Sequence, residues 1–208
     1  MTTPLGQLEV LAAGPRSVAV RRRTRETDVS VNLTLDGRGT AEISTGVGFY
    51  DHLLTSLAHH ALLDLRVEAT GDLDVDDHHS VEDVALVVGA ALATALGDRA
   101  GIRRFGAASA PMDEALATAA IDIGGRPYTV VDLPFRADRI GAMSTQLIEH
   151  ALEAFARSSG TTLHVRGSGR NDHHLAEAAF KAVALALRAA CEVDPRRSGI
   201  ASTKGSAG

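Results

Sequence analysis

Two short runs in this chain share one pattern and constrain most of what it can fold into. Asp77-His78-His79-Ser80-Val81-Glu82-Asp83 and Asp172-His173-His174-Leu175-Ala176-Glu177 each read acid, His, His, two spacers, Glu. Each leads into an Ala-rich apolar segment, Val84 to Leu92 in one case and Ala178 to Leu185 in the other. Helix formers dominate both segments and each leading Asp is a natural N-cap, so both runs are expected to open helices. On a helix, residues four apart share a face. His78 therefore shares a face with Glu82, and His173 with Glu177, whereas His79 and His174 sit about 100° further round. One such box reads most simply as a surface His pair at a helix start. Two boxes in one chain reverse that preference and point to paired metal sites.

The surroundings of the boxes repeat as well. A helical segment over 49–61 carries Asp51-His52 ahead of the first box, and one over 144–158 carries Glu149-His150 ahead of the second. His52 lies 26 residues before His78, and His150 lies 23 before His173. Alternating segments at 27–35, 40–44 and 63–69 read as strands in the first half, and 104–109, 114–123, 128–133 and 161–166 do so in the second. Arg16 to Arg25 is a basic run that reads as the solvated face of a strand. The expected fold is α+β: two duplicated ββαβα halves, each a sheet with helices packed on one face. The divisions are a flexible N-terminus at 1–15, a first repeat at 16–98, a second at 99–192, and a tail at 193–208. The two repeats form one compact unit, facing each other through helices or through sheets. The Gly/Ser-rich tail is flexible unless something, such as substrate, anchors it.

Composition excludes several classes. The 208 residues are 45% hydrophobic and 23% charged, as in soluble globular proteins. The single Cys191 forbids an internal disulfide and suits a reducing, cytoplasmic setting with a buried, inert thiol. The start lacks the basic and apolar regions of a signal peptide. No run approaches 18 uninterrupted apolar residues, so no membrane span is expected. A net charge of −5 disfavours nucleic acid as a partner.

His and Glu without a Cys partner suit borderline-to-hard ions such as Mn²⁺, Fe²⁺ or Zn²⁺. Of nine histidines, six occupy the repeated positions. Helix geometry and the duplication assign His78, Glu82, His150 and His174 to one ion, and His52, His79, His173 and Glu177 to the other. Four protein ligands leave an octahedral ion two positions for substrate. His164 reads as a core or surface histidine, His59 as solvated or packed, and His60 as either. Arg104, Arg126, Lys204 and the hydroxyls of Ser202 and Thr203 together make a plausible phosphate clamp.

At this point the motifs resemble a known family. Gly48 to Leu54, Asp77 to Asp83, Pro111 to Leu116, Gly124 to Pro127, Asn171 to Lys181 and Ser202 to Gly205 are similar to imidazoleglycerol-phosphate dehydratase, in that family's order, over Arg23 to Gly205. Gly125 stands where a Ser is usual, and Ala201 where a Pro commonly precedes Ser-Thr-Lys; neither touches an expected ligand. The resemblance implies a lyase of histidine biosynthesis that converts imidazoleglycerol phosphate to imidazole-acetol phosphate and water. It implies two Mn²⁺ ions, a duplicated ribosomal-protein-S5-domain-2-like fold, and 24 subunits with sites at subunit contacts. It also implies substrate contacts from Glu26, His60, Arg104, Arg126, Lys181, Ser202, Thr203 and Lys204.

The proton to be lost sits on a carbon with no adjacent carbonyl, so a base alone meets a very weak acid. A metal-bound imidazolate that expels hydroxide, through a diazafulvene-like intermediate, removes that difficulty. Glu26 or Glu177 then shuttles the proton, with His52 and His79 in the catalytic set through the ions they hold. Two rivals remain open here, a dinuclear hydrolase and a non-enzymatic metal-storing assembly. Loss of water against release of phosphate separates the first. Indifference to chelators in a turnover assay would favour the second.

Overall fold

Alternating burial along the strands decides how the two sheets face each other. The computed structural model describes residues 8–206. The first half runs β1 (Leu8–Gly14), β2 (Ser17–Arg23), β3 (Thr27–Thr34), β4 (Ala41–Ser44), α1 (Gly48–Ala61), β5 (Asp64–Gly71) and α2 (His78–Leu96). The second runs β6 (Phe105–Met112), β7 (Ala115–Asp122), β8 (Tyr128–Asp132), a short hairpin of β9 (Arg139–Ile140) and β10 (Met143–Ser144), α3 (Gln146–Ser159), β11 (Thr162–Ser168) and α4 (Asp172–Cys191). On β3, Val29, Val31 and Leu33 are buried, and on β7 Ala115, Ala117, Ala119 and Ile121 are buried, with the residues between them more exposed. Each sheet thus has one dry face. The helices cover both dry faces, so the halves meet through helices: α2 packs on α3 and α1 on α4. Tyr50, Leu54, Val88, Leu152, Phe155 and Phe180 meet where all four helices converge.

The sheets are ordered β1-β2-β3-β5-β4 and β6-β7-β11-β8, so without β1 the two orders correspond strand for strand. Each half is therefore βββαβα, one strand more than ββαβα. The extra strand of the first half is the basic run: Val18, Val20 and Arg22 face inward while Arg21 and Arg23 point outward, and a charged face does not prevent pairing when the other face is largely apolar. Residues 8–14, expected to fray, form edge strand β1 paired with β2, although their side chains are mostly exposed. The tail does not run free: Ala100 and Ile200 form a β-bridge, and Gly101 N donates to Gly199 O at 3.1 Å.

Left-handed residues end α1 and α3 alike, Leu62 at φ 55° and Gly160 at φ 66°. That superposes Asp64 on Thr162, and the strand registers carry the correspondence to Thr27 with Ala115, Glu26 with Glu114, and Arg22 with Ala110. Close approach has its own residues. A Cβ on Gly89 of α2 would fall 2.5 Å from Phe155 O of α3, and one on Gly106 of β6 would overlap Ala186 O of α4. Glycine lets both pairs of elements meet. Helix α2 is long and apolar enough to cross a bilayer, but its apolar residues lie in this core.

Two candidate metal centres

The helix N-termini bring the histidines together, although the leading aspartates do not cap them. Asp76 Oδ1 accepts from His78 N at 2.8 Å, and Asn171 Oδ1 accepts from His173 N at 3.0 Å. Asp77 instead accepts from Ser144 N and Oγ at 2.6 and 3.0 Å. Asp172 accepts from Arg136 N and Ala137 N at 3.0 and 2.7 Å. Asn171 caps α4 from an extended backbone, the geometry that suits a cap, and the Asp76 carboxylate reaches the first N–H of α2 from one residue before Asp77. The aspartates are left to clamp the segment before α3 onto both His-box helices.

Two groups of three donors result, each within 4.8 Å: His78, Glu82 and His150, and His52, His173 and Glu177. Both groups cross the halves, since His150 comes from α3 to the α2 pair and His52 from α1 to the α4 pair. Glu177 Oε1 lies 2.9 Å from His173 Nε2 and 3.0 Å from His52 Nε2, and Lys181 Nζ lies 2.9 Å from the other oxygen. Burial raises the Glu177 carboxyl, but those hydrogen bonds outweigh it and hold it at about 2, against an ordinary 4.5. Burial likewise raises Glu82, and Arg157 and His150 bring it below its ordinary value. The donor set fits a divalent cation. His150 Nε2 is buried with no hydrogen-bond partner, 3.4 Å from Glu82 Oε1, an orphaned ring nitrogen beside a carboxylate that a shared cation would satisfy.

His79 and His174 stand outside both groups. Their rings lie edge-on to His78 and His173, with centroids 5.8 and 6.3 Å apart. Each meets a carboxylate instead: His79 Nδ1 is 3.0 Å from Asp72 Oδ2, and His174 Nδ1 is 2.9 Å from Glu114 Oε2. Those hydrogen bonds raise both imidazoles above their ordinary value. Glu114 is held at about 2, chiefly by His174 and then by the backbone N–H groups of Asn171 and Arg170. Sequence reading missed Asp72 and Glu114. Both look like turn residues, and only tertiary contact reveals their partners.

The expected substrate residues fall in three places within one chain. His60 lies beside Glu177 and Lys181, and burial, with His59 and Lys181 near it, holds its imidazole below the ordinary value. Glu26 is among the charges that raise His79. Arg104 and the tail form a third corner. Arg104 pairs with Asp122 through two hydrogen bonds of 2.6 and 2.9 Å and donates to Ala201 O at 2.6 Å. Through these bonds it anchors the tail. Arg126 and Lys204 are exposed, and Ser202 Oγ accepts from Lys204 N at 3.2 Å.

Comparison with known proteins gives one answer. The imidazoleglycerol-phosphate dehydratase family model matches residues 45–187. An imidazoleglycerol-phosphate dehydratase of Methanocella arvoryzae is 53% identical over 190 residues, covering 91% of this chain and 98% of that relative. The solved Pyrococcus furiosus structure has a TM-score of 0.78 at 37% identity, covering 89% of this chain and 99% of its own. The Staphylococcus aureus structure has 0.74 at 34%, covering 84% and 98%. The chain belongs to the imidazoleglycerol-phosphate dehydratase family, enzymes of histidine biosynthesis.

Proposed function

We propose that this chain dehydrates imidazoleglycerol phosphate with two divalent ions, Mn²⁺ in this reading, at a site completed between subunits of a homo-oligomer of 24 chains in the cytoplasm. The observation that carries the proposal is that each donor group has three of four expected ligands, while His79 and His174 are held elsewhere by Asp72 and Glu114. A second chain supplies what one chain leaves incomplete. His78, Glu82 and His150 with His174 of a neighbour would hold one ion, and His52, His173 and Glu177 with His79 of a neighbour the other. The same arrangement gathers the three separate substrate corners.

When bound, the two ions supply Lewis-acid stabilisation of the imidazole ring and of the departing hydroxyl. The chain does the rest. Arg126 and Lys204, with the hydroxyls of Ser202 and Thr203, hold the phosphate, and Arg104 fixes the tail that carries three of these groups. His60 and Lys181 flank the reacting end beside Glu177. The proton leaves the hydroxyl-bearing carbon, hydroxide leaves the ring-attached carbon, and the enol becomes the ketone. Both Glu177 oxygens are already engaged, one by His52 and His173 and the other by Lys181. Glu26 is the better shuttle, since its carboxylate accepts no hydrogen bond among the described residues and is free to take the proton.

Metal stoichiometry tests this directly. Two ions per chain are expected, with His79→Ala and His174→Ala each losing one and both abolishing turnover. Two ions retained in both variants would refute the shared site. Phosphate release in place of loss of water would point to a dinuclear hydrolase.

A further inference from the structure

The two hairpins that face the second histidines occupy equivalent places, yet they hold their glutamates in opposite ways. In the second half, Glu114 is fixed by its carboxylate, which accepts from Arg170 N at 2.9 Å and Asn171 N at 2.7 Å and meets His174. In the first half, the equivalent Glu26 is fixed by its backbone. Glu26 N donates to Thr24 Oγ1 at 3.1 Å, and Thr27 N donates to the same oxygen at 2.9 Å. Thr24 Oγ1 lies 3.2 Å from Thr27 Oγ1, which in turn donates to Asp83 Oδ2 of α2. Since the Thr27 hydroxyl proton goes to Asp83, Thr24 is the donor between the two hydroxyls, and the Thr24 hydroxyl also reaches Thr27 O at 3.4 Å, so both of its acceptors lie on Thr27. Arg22 Nη1 stands 2.6 Å from Asp83 Oδ1 and balances its charge. Asp83 is 8% exposed, so the anchor is shielded from water.

The duplication supplies an internal control. Arg22, Thr27 and Asp83 correspond to Ala110, Ala115 and Ala178, all buried. Where the glutamate is tied by its carboxylate, the relay is absent and alanines fill its place. Where the carboxylate stays free, three polar residues stand in the core instead, two of them the buried ion pair of Arg22 and Asp83. A buried charge pair is a poor source of stability compared with apolar packing, so burial alone does not account for its presence.

We infer that Asp83, with Arg22 and Thr27, positions Glu26: the relay fixes the turn that bears its free carboxylate to the same helix that bears His79. Asp83 and His79 are four apart on α2 and share a face, so the relay sets Glu26 and that metal ligand at one offset. The inference rests on the reading of Glu26 as the proton shuttle.

Removing Asp83 would strand a buried arginine, so the threonines carry the test, in the metal-loaded full-length protein. Thr27→Val keeps the side-chain shape and removes the hydroxyl, Thr27→Ser keeps the hydroxyl, and Thr24→Val breaks the relay at a second point. Amide hydrogen exchange over residues 22–28, read by mass spectrometry, should quicken about tenfold in both valine variants, the size expected for a lost hydrogen bond. The kcat should fall about tenfold with KM and metal content unchanged, and Thr27→Ser should restore both. On a Glu26→Gln background, Thr27→Val should lower kcat no further. Unchanged exchange would overturn the relay itself. A kcat loss that adds in full to that of Glu26→Gln would overturn its action through Glu26. A Glu26→Gln variant with undiminished turnover would remove the premise, and the exchange result would still report separately on the relay.

Discussion

Glu114 Oε2 lies 2.9 Å from His174 Nδ1, joining the tip of the β6–β7 hairpin to the start of α4 across 60 residues of chain. Asp72 does the same for His79 at 3.0 Å from the loop after β5. A carboxylate on Nδ1 fixes the tautomer with its proton there and leaves the Nε2 lone pair for a metal. Glu114→Gln and Asp72→Asn should each weaken the affinity for one ion about 10–100-fold while the thermal midpoint of the metal-free protein falls little. Calorimetric titration with Mn²⁺ checks this. Unaltered affinity in both variants would leave the two carboxylates as surface partners only.

Helix periodicity made His78 with Glu82 and His173 with Glu177 legible, because four-residue spacing on a helix is a local property. The repeat made His52 and His150 legible, because equivalent positions in two halves meet equivalent partners. The roles of Asp72 and Glu114 were hidden in turn-like stretches, since their partners are fixed by strand register rather than spacing. The caps were misread for a related reason. Asp77 and Asp172 face loops that arrive from elsewhere in the chain, while Asp76 and Asn171 meet the helix N–H groups. The basic run was legible as a strand face, but not as a member of the first repeat, which its pairing with β3 makes βββαβα. The pairing of Arg104 with Asp122 and with the tail was not readable, since both partners are remote in sequence.

Arg104 and Arg126 should therefore behave differently. Arg104 is largely buried against Asp122 and holds Ala201 O. Arg104→Ala leaves Asp122 unpaired and releases the tail, so it should cost about 3 kcal/mol of stability and raise KM as well. Arg126→Ala removes an exposed cation and should raise KM about tenfold or more with the thermal midpoint unmoved, since exposed charges contribute little to stability. Urea unfolding and steady-state kinetics on both variants separate the two roles. Equal stability losses would contradict them.

The pH dependence of the metal-free protein has contributions from carboxyls held low, Glu177, Glu114 and Glu82 among them, and from imidazoles held high, His79 and His174. Glu177 is held at about 2 against 4.5, so its contribution is complete above 4.5 and is lost as pH falls from about 4.5 to about 2. That loss is on the order of 3 kcal/mol. His79 and His174 are raised above 6.5, so their contribution is complete below 6.5 and is lost as pH rises through the raised values. Stability of the metal-free chain should peak between about pH 4.5 and 6.5. Metal affinity should instead rise with pH, because binding displaces protons from the imidazoles. Thermal melts from pH 2 to 9, with and without metal, measure both. A metal-free curve that climbs steadily from pH 5 to 8 would contradict the His79 and His174 pairings.

Gly89 is where the first metal group depends on backbone contact. It lies on α2 against Phe155 O and Ser158 of α3, and these two helices bring His78 and Glu82 to His150. By helix propensity alone, Gly89→Ala should stabilise by about 1 kcal/mol. The added Cβ would stand 2.5 Å from a carbonyl oxygen, which is backbone and cannot rotate away, so the helices must separate. Overpacking of this kind costs about 1–3 kcal/mol, and the clash should win. Separation also widens the His150 to Glu82 approach, 3.4 Å at present, so the ion at that group should bind more weakly than the ion held by His173 and Glu177. Urea unfolding and a two-site metal titration report the two effects independently. A stabilised variant with both affinities intact would mean that α2 and α3 have slack at this crossing, and that the close contact is not what sets the first group.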